Sequence, residues 1–343
     1  MINKSIVVGI THGDINSISY EIIMKTFKDP RMLEFCCPVV YGSSKVASFY
    51  KKVLTKSIDA NFKFNIIKHA KNANLKLPNM INITDNEIKI DIGEITSTAG
   101  DMARLSLETA TKDIIEGNID VIVTCPINKQ NVFSDSFSYS GHTEYIASQT
   151  KTDKFIMLMI AGTLRIGTVT THCALSDVSS LITKDLILDK IRTLNTSLMH
   201  DFNITKPRIA VLSLNPHAGD NQLFGNEEKE KIIPAIEEAF NSKIYAFGPF
   251  SADGLFGSGE FKKYDGILAM YHDQAMIPFK LLSFDEGVNF TAGLPIIRTS
   301  PAHGSAMNIA GKDIASINSF RNAVYLACDI FKNRQIMKEE EKE

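Results

Sequence analysis

Seven short apolar runs punctuate this chain, each long enough for a buried strand and too short for a helix. They are Ser5–Ile10, Pro38–Tyr41, Val121–Thr124, Phe155–Ile160, Ile166–Thr171, Ile209–Leu214 and Gly266–Met270. Amphipathic helical patterns lie between them, among them Ser106–Glu116 and Glu227–Phe240. Parallel strands need long crossovers, usually helices, so strand–helix alternation predicts an α/β protein with mostly parallel sheets. Ligands of such sheets bind beyond the carboxyl ends of the strands. At 343 residues the chain exceeds one ordinary core, so two domains are expected. Asn226 is the expected N-cap of the helix Glu227–Phe240, and Pro234 should bend that helix or mark a late start.

Charge and composition exclude several classes. The net charge is −2 with both signs spread along the chain, which gives no electrostatic footprint for nucleic acid. The sequence holds no run of about twenty apolar residues, so no membrane span is expected. The start, MINKSIVVGITHGD, turns polar at Thr11, His12 and Asp14 and reads as a first strand, not a signal peptide. Five cysteines without CxxC or regular spacing suit reduced thiols in the cytoplasm. The charged tail from Lys332 is expected to fray.

The densest chemistry lies between Tyr271 and Lys312. His272, Asp273, Lys280, Asn289, Arg298 and His303 follow neither a helical nor a strand period there, which predicts irregular backbone walling an active site. His172, His217 and His272 each follow a separate predicted strand. Three such imidazoles can converge on one divalent cation with open positions, a catalytic arrangement; alternatively each caps its strand. Asp273 is a further ligand or an orienting partner. Lys280, Asn289 and Arg298 suit a phosphate or carboxylate, Arg298 being able to bind two oxygens. Ser140-Gly141-His142-Thr143-Glu144 opens a helical pattern and offers N–H groups to an anion, with Ser140 or Thr143 as the alternative simple cap. Cys125 in TCPINK reads as a packed strand-end thiol. Neither G-x-G-x-x-G between strand and helix nor a P-loop motif is present, so a dinucleotide would not be held in the Rossmann way.

These segments resemble the 4-hydroxythreonine-4-phosphate dehydrogenase family of vitamin B6 biosynthesis. The likeness runs through GITHGD with Glu21 behind it, TCPINK, SGHTEYIA, TTHCAL, LNPHAGDNQLFGNEE, GPFSADGLF and the YHDQ…IAGK run. The chain departs from the family's usual start, ITPGDPAGIGPE, at His12, Ile15–Asn16 and Ser17–Ser19.

The resemblance implies a fold similar to the isocitrate and isopropylmalate dehydrogenases. That fold has two α/β/α domains, 1–132 plus 292–343 and 133–291, with a cleft between them, the second carrying the metal ligands and dimer interface. It implies a homodimer with a shared active site and His172, His217 and His272 as ligands to Zn, Mg or Co. His142, Thr143, Lys280, Asn289 and Arg298 are implied as substrate contacts, and NAD or NADP as the cofactor. The implied reaction oxidises 4-phosphooxy-L-threonine to 2-amino-3-oxo-4-phosphooxybutanoate, which decarboxylates to 3-amino-2-oxopropyl phosphate. Asp273, Lys280 and a metal-bound water remain alternative proton acceptors. Rival readings are a D-threonate or D-erythronate 4-phosphate dehydrogenase, a metal-dependent phosphatase or acyl-phosphate transferase, and a non-catalytic phosphometabolite-binding protein.

Overall fold

The computed structural model describes residues 5–132, 137, 139 and 141–340. It divides into two compact units, Met1–Lys151 with Pro295–Phe331 and Thr152–Leu294 with Lys332–Glu343. These bounds sit differently from 1–132 plus 292–343 and 133–291. The helix His142–Gln149 packs on the helix Ser97–Ile115 and so stays with the first unit.

In the first unit the strands are β1 (Val7–Thr11), β2 (Cys37–Gly42), β3 (Asn65–Ile67), β4 (Asn79–Asn82), β5 (Val121–Thr124) and β12 (Arg298–Pro301). They lie in the order β3-β4-β2-β1-β5-β12, and every pairing is parallel. Helices α1 (Ser19–Phe27), α2 (Ser97–Ile115), α3 (Lys129–Val132) and α4 (His142–Gln149) belong to this unit. β2 is buried along its whole length, as the sequence CPVVYG allows. Helix α2 begins nine residues before the expected Ser106, because Thr96 caps it by accepting from Ala99 N at 3.2 Å. Its buried residues Ala103, Leu107, Ala110 and Ile114 recur every three or four positions and face the sheet.

The second unit carries β6 (Ile156–Ala161), β7 (Leu164–Thr168), β8 (Arg208–Leu212), β9 (Tyr245–Phe250), β10 (Gly266–Ala269) and β11 (Val288–Ala292). Their order is β11-β6-β7-β10-β8-β9. β7, β10, β8 and β9 run parallel, whereas β6 pairs antiparallel with both β7 and β11. Helix α5 (Lys184–His200) is capped by Thr183 and buries Ile187, Ile191, Leu194 and Leu198, each worth about 1.5–3 kcal/mol. Helices α6 (Ile233–Asn241) and α7 (His272–Ser283) complete the part that positions the site.

Several expectations need correction. The stretch Glu227–Phe240 is a π-helical turn, Glu228–Ile232, running directly into α6, whose α-helical register starts only at Ile233 beside Pro234, the late start expected of that proline. Asn226 does not cap through its side chain; its carbonyl accepts from Glu230 N. The run 271–312 is irregular only in part: His272 opens α7, Asn289 lies on β11 and Arg298 begins β12, whereas His303 sits on the irregular backbone of 302–306. The charged tail does not fray at Lys332, since helix Asn318–Glu340 continues through it. Asn333 Nδ2 donates to Asp201 O at 2.8 Å, and Arg334 Nε meets Asp201 Oδ1 at 2.6 Å. Residues 341–343 lie outside the described residues.

Candidate active site

The histidine-bearing strands of the second unit are neighbours. β7, β10 and β8 lie side by side and parallel, so their carboxyl ends share one edge. Backbone bonds extend that edge: Val169 N donates to Ala269 O at 2.8 Å and Thr170 N to Met270 O at 3.1 Å. On the other side Gln274 accepts from Met270 N at 2.8 Å and donates through Nε2 to Ser213 O at 2.7 Å. One side chain thus bolts the start of α7 to the end of β8.

The rings of His172 and His272 face each other with centroids 6.2 Å apart. They line a cavity of about 510 Å³ together with Cys173, Tyr271 and Asp273. His272 Nδ1 lies 2.8 Å from Asp273 Oδ1. A carboxylate only accepts, so Nδ1 carries the hydrogen and Nε2 keeps its lone pair, the form in which an imidazole binds a metal. Two imidazoles and an orienting carboxylate at an exposed strand edge fit a divalent cation. His217 is exposed in the loop after β8, its ring 6.3 Å from that of Phe224. Among the described residues no group of three or more His, Cys, Asp or Glu side chains could hold a metal within one chain.

The loop carrying His217 has an uncommon backbone. His217, Ala218, Asp220, Asn221 and Gln222 are left-handed, with φ of 52, 53, 41, 54 and 76°, and Gly219 has φ of 80°. A left-handed non-glycine residue costs about 1–2 kcal/mol, so the surroundings must hold this turn in place. Asp273 and Lys280 are seven residues apart on α7, hence on one face and about 10.5 Å apart along the axis. Lys280 is exposed. Asn289 is half-buried; its Nδ2 reaches Met157 Sδ at 3.2 Å while its buried Oδ1 finds no hydrogen-bond donor.

The first unit builds a separate cluster around Arg298, which is only 3% exposed. Its Nε and Nη2 donate to Thr124 Oγ1 at 3.1 and 2.7 Å, and Nη1 donates to Thr143 Oγ1 at 3.2 Å. Burial pulls the Arg298 pKa down to about 10, opposed by nearby Glu144. Nη2 also lies 3.4 Å from His142 Nδ1. Burial, then the charges of Arg298 and Lys129, hold the His142 pKa far below the usual imidazole range. That ring is therefore neutral, and with Nδ1 facing a donor its hydrogen sits on Nε2. The buried Nε2 has no partner of its own. Thr143 is engaged by Arg298 and makes no cap; Gly141 opens α4, and Ser140 lies outside the described residues.

Thr124, Gln274 and the glutamates behind the His217 loop escaped the sequence reading, because each acts only through partners far along the chain. Cys125 is fully buried, which pushes its thiol well above the ordinary range and fits a packed residue. All five cysteines are free. Among the described residues no helix is long and apolar enough to cross a membrane.

The scaffold is α/β, with its candidate site at the carboxyl ends of parallel strands, where open α/β sheets bind their ligands. An isocitrate dehydrogenase from Methylococcus capsulatus covers 98% of this chain and 89% of its own, with a TM-score of 0.50 at 12% identity, a likeness of fold alone. The chain belongs to the 4-hydroxythreonine-4-phosphate dehydrogenase family: the family described as "Pyridoxal phosphate biosynthetic protein PdxA" matches residues 34–327. The 4-hydroxythreonine-4-phosphate dehydrogenase of Bacteroides thetaiotaomicron is 49% identical over 336 residues, covering 98% of this chain and 91% of that protein. A crystal structure of that enzyme from Klebsiella pneumoniae, 34% identical, gives a TM-score of 0.81 over 95% of this chain and 100% of its own. The protein is therefore an oxidoreductase, and a dehydrogenase of this family implies a nicotinamide cofactor.

Proposed function

We propose that the chain oxidises the C3 hydroxyl of 4-phosphooxy-L-threonine with NAD or NADP as hydride acceptor. The product, 2-amino-3-oxo-4-phosphooxybutanoate, is a β-keto acid that loses carbon dioxide to give 3-amino-2-oxopropyl phosphate. The observation carrying this reading is the pair His172 and His272, with Asp273 fixing the tautomer of His272. His172, His272 and, from the following strand, His217 would hold a Zn, Mg or Co ion. Such an ion supplies Lewis acidity that lowers the pKa of a bound alcohol.

The chain's own groups do the rest. Asp273 stands beside His272 with its side chain 70% exposed, so its second oxygen can take the C3 hydroxyl proton as hydride leaves the carbon. Arg298, Thr143 and the donor Nε2 of His142 present hydrogens suited to phosphate oxygens. Lys280 adds an exposed ammonium, and Asn289 Oδ1 offers an acceptor to the substrate amine. Holding the phosphate fixes C3 relative to the hydride acceptor, a positioning effect worth many powers of ten.

Two observations support a homodimer with a shared site. The three histidines do not form one cluster within a chain, and α7, which starts at His272, leaves Ile277 and Leu281 exposed, with exposed Phe284 capping its end. Leu281 is 82% exposed and Phe284 76%. A second copy of this chain would cover these side chains and supply the missing imidazole. The free cysteines support a cytoplasmic location. The test is a direct assay: NADH absorbance appears with 4-phosphooxy-L-threonine and is far weaker with D-threonate 4-phosphate. Equal rates on both, or phosphate release without NADH, would sink the substrate assignment.

A further inference from the structure

The left-handed turn that presents His217 is closed from behind by a buried carboxylate. Glu228, 4% exposed, sits at the first position of the π-helical turn Glu228–Ile232. Its Oε1 accepts from Leu214 N at 2.9 Å and Asn215 N at 2.8 Å, and its Oε2 accepts from Asn215 Nδ2 at 2.9 Å. Asn215 Nδ2 also donates to Glu227 Oε2 at 2.8 Å. The loop therefore leaves β8, passes His217 and returns onto the residue that grips its first two amides.

Two glycines show how close the return is. A Cβ on Gly219 would lie 2.8 Å from Glu228 Oε2, and one on Gly225 would lie 2.6 Å from Asn215 Nδ2. Both positions have φ in the left-handed half of the map, 80 and 132°, so glycine is required twice over. Hydrogen bonds to an ionised acceptor are roughly twice as strong as neutral ones. Losing the carboxylate would strand the Leu214 and Asn215 amides at a turn that is itself unfavourable, while Asn215 Nδ2 keeps Glu227. A π-helical turn breaks the ordinary i to i+4 register, and such turns are frequent at functional sites.

We propose that Glu228 is a positioning residue that locks the loop 213–224, so that His217 is presented for the metal without further ordering. This rests on the reading of His217 as a ligand, but the anchoring itself can be tested apart from it. The probe is Co²⁺ alone, titrated into metal-stripped protein and followed by calorimetry and by the visible Co²⁺ absorption. Glu228→Ala should weaken Co²⁺ binding about 10–100-fold, the usual cost of removing an outer partner of a metal site. Glu228→Gln should recover part of that affinity, because its carbonyl oxygen can still accept from Leu214 N and Asn215 N while its amide nitrogen faces the donor Asn215 Nδ2. A role confined to global stability would lower Tm and leave Co²⁺ affinity unchanged well below Tm.

Hydrogen exchange at the amides of residues 214, 215 and 223–224 gives the second readout. It should speed up in Glu228→Ala whatever the metal does. Should that variant not fold, Glu228→Asp, which keeps the charge and shortens its reach, carries the same two expectations. A folded Glu228→Ala or Glu228→Asp protein with wild-type Co²⁺ affinity and wild-type exchange overturns the proposal. Co²⁺ binding untouched in His217→Ala, with exchange at residues 214, 215 and 223–224 still accelerated in Glu228→Ala, would instead remove His217 from the metal site and leave the anchor standing.

Discussion

Arg298 donates twice to a single oxygen, Nε at 3.1 Å and Nη2 at 2.7 Å from Thr124 Oγ1. That double contact turns the guanidinium edge so that Nη1 meets Thr143 and Nη2 lies beside His142. Arg298→Ala should lower kcat/KM about 10–100-fold, a loss of roughly 1.5–3 kcal/mol for a charge-assisted contact. Arg298→Lys should fare little better, since an ammonium lacks the planar fork. Steady-state kinetics with the phosphorylated substrate decide it: unchanged values would take Arg298 out of the site.

Stripping the protein with a chelator should abolish NADH formation, and Zn²⁺, Mg²⁺ or Co²⁺ should restore it. His272→Ala should resist that rescue, because it removes one of the two facing rings. Turnover that survives exhaustive chelation, checked by elemental analysis, would remove the metal from the reaction.

His12 gives stability a pH dependence. It is fully buried, 5.6 Å from the ring of Tyr20, and neither ring nitrogen makes a hydrogen bond of good geometry, although backbone at Gly13 and Met102 lies near. Burial pulls its pKa down to about 4. An unfolded histidine titrates near 6.5, so between those values the unfolded chain binds the extra proton. Stability should therefore fall as pH drops from about 6.5 towards about 4, by on the order of 3 kcal/mol in all, and be fully present above about 7. Urea midpoints across that window should flatten in His12→Phe; equal slopes in both proteins would place the dependence elsewhere.

Sedimentation should give a dimer. Leu281→Asp with Phe284→Asp, placed at the bare end of α7, should shift it towards monomer and lower activity with little change in Tm. A double variant that remains dimeric and fully active would move the interface to another face.

Legibility in the sequence followed burial. β1, β2, β5, β6, β7, β8 and β10 were readable because mostly buried strands appear as short runs of apolar residues. β3 and β4 begin at Asn65 and Asn79 and were missed, since their polar residues serve local turns: Asn79 Nδ2 donates to Asn74 O and Leu77 O. β11 and β12 were hidden by Asn289 and Arg298, polar residues that break the apolar signal. Pro278 hid α7 in the same way. The histidines and Arg298 stood out by type and position. Thr124 and Gln274 did not, because their significance depends on which strands become neighbours.

Gln274 spans two adjoining strands with opposite ends of one amide, taking a hydrogen from Met270 and giving one to Ser213. That makes the neighbouring strand tips mechanically coupled: a shift of the helix behind His272 pulls on the root of the segment bearing His217. Glutamate at 274 would turn an attraction to the Ser213 carbonyl into a repulsion, so a one-atom change from nitrogen to oxygen would loosen the roots of both histidine-bearing segments at once.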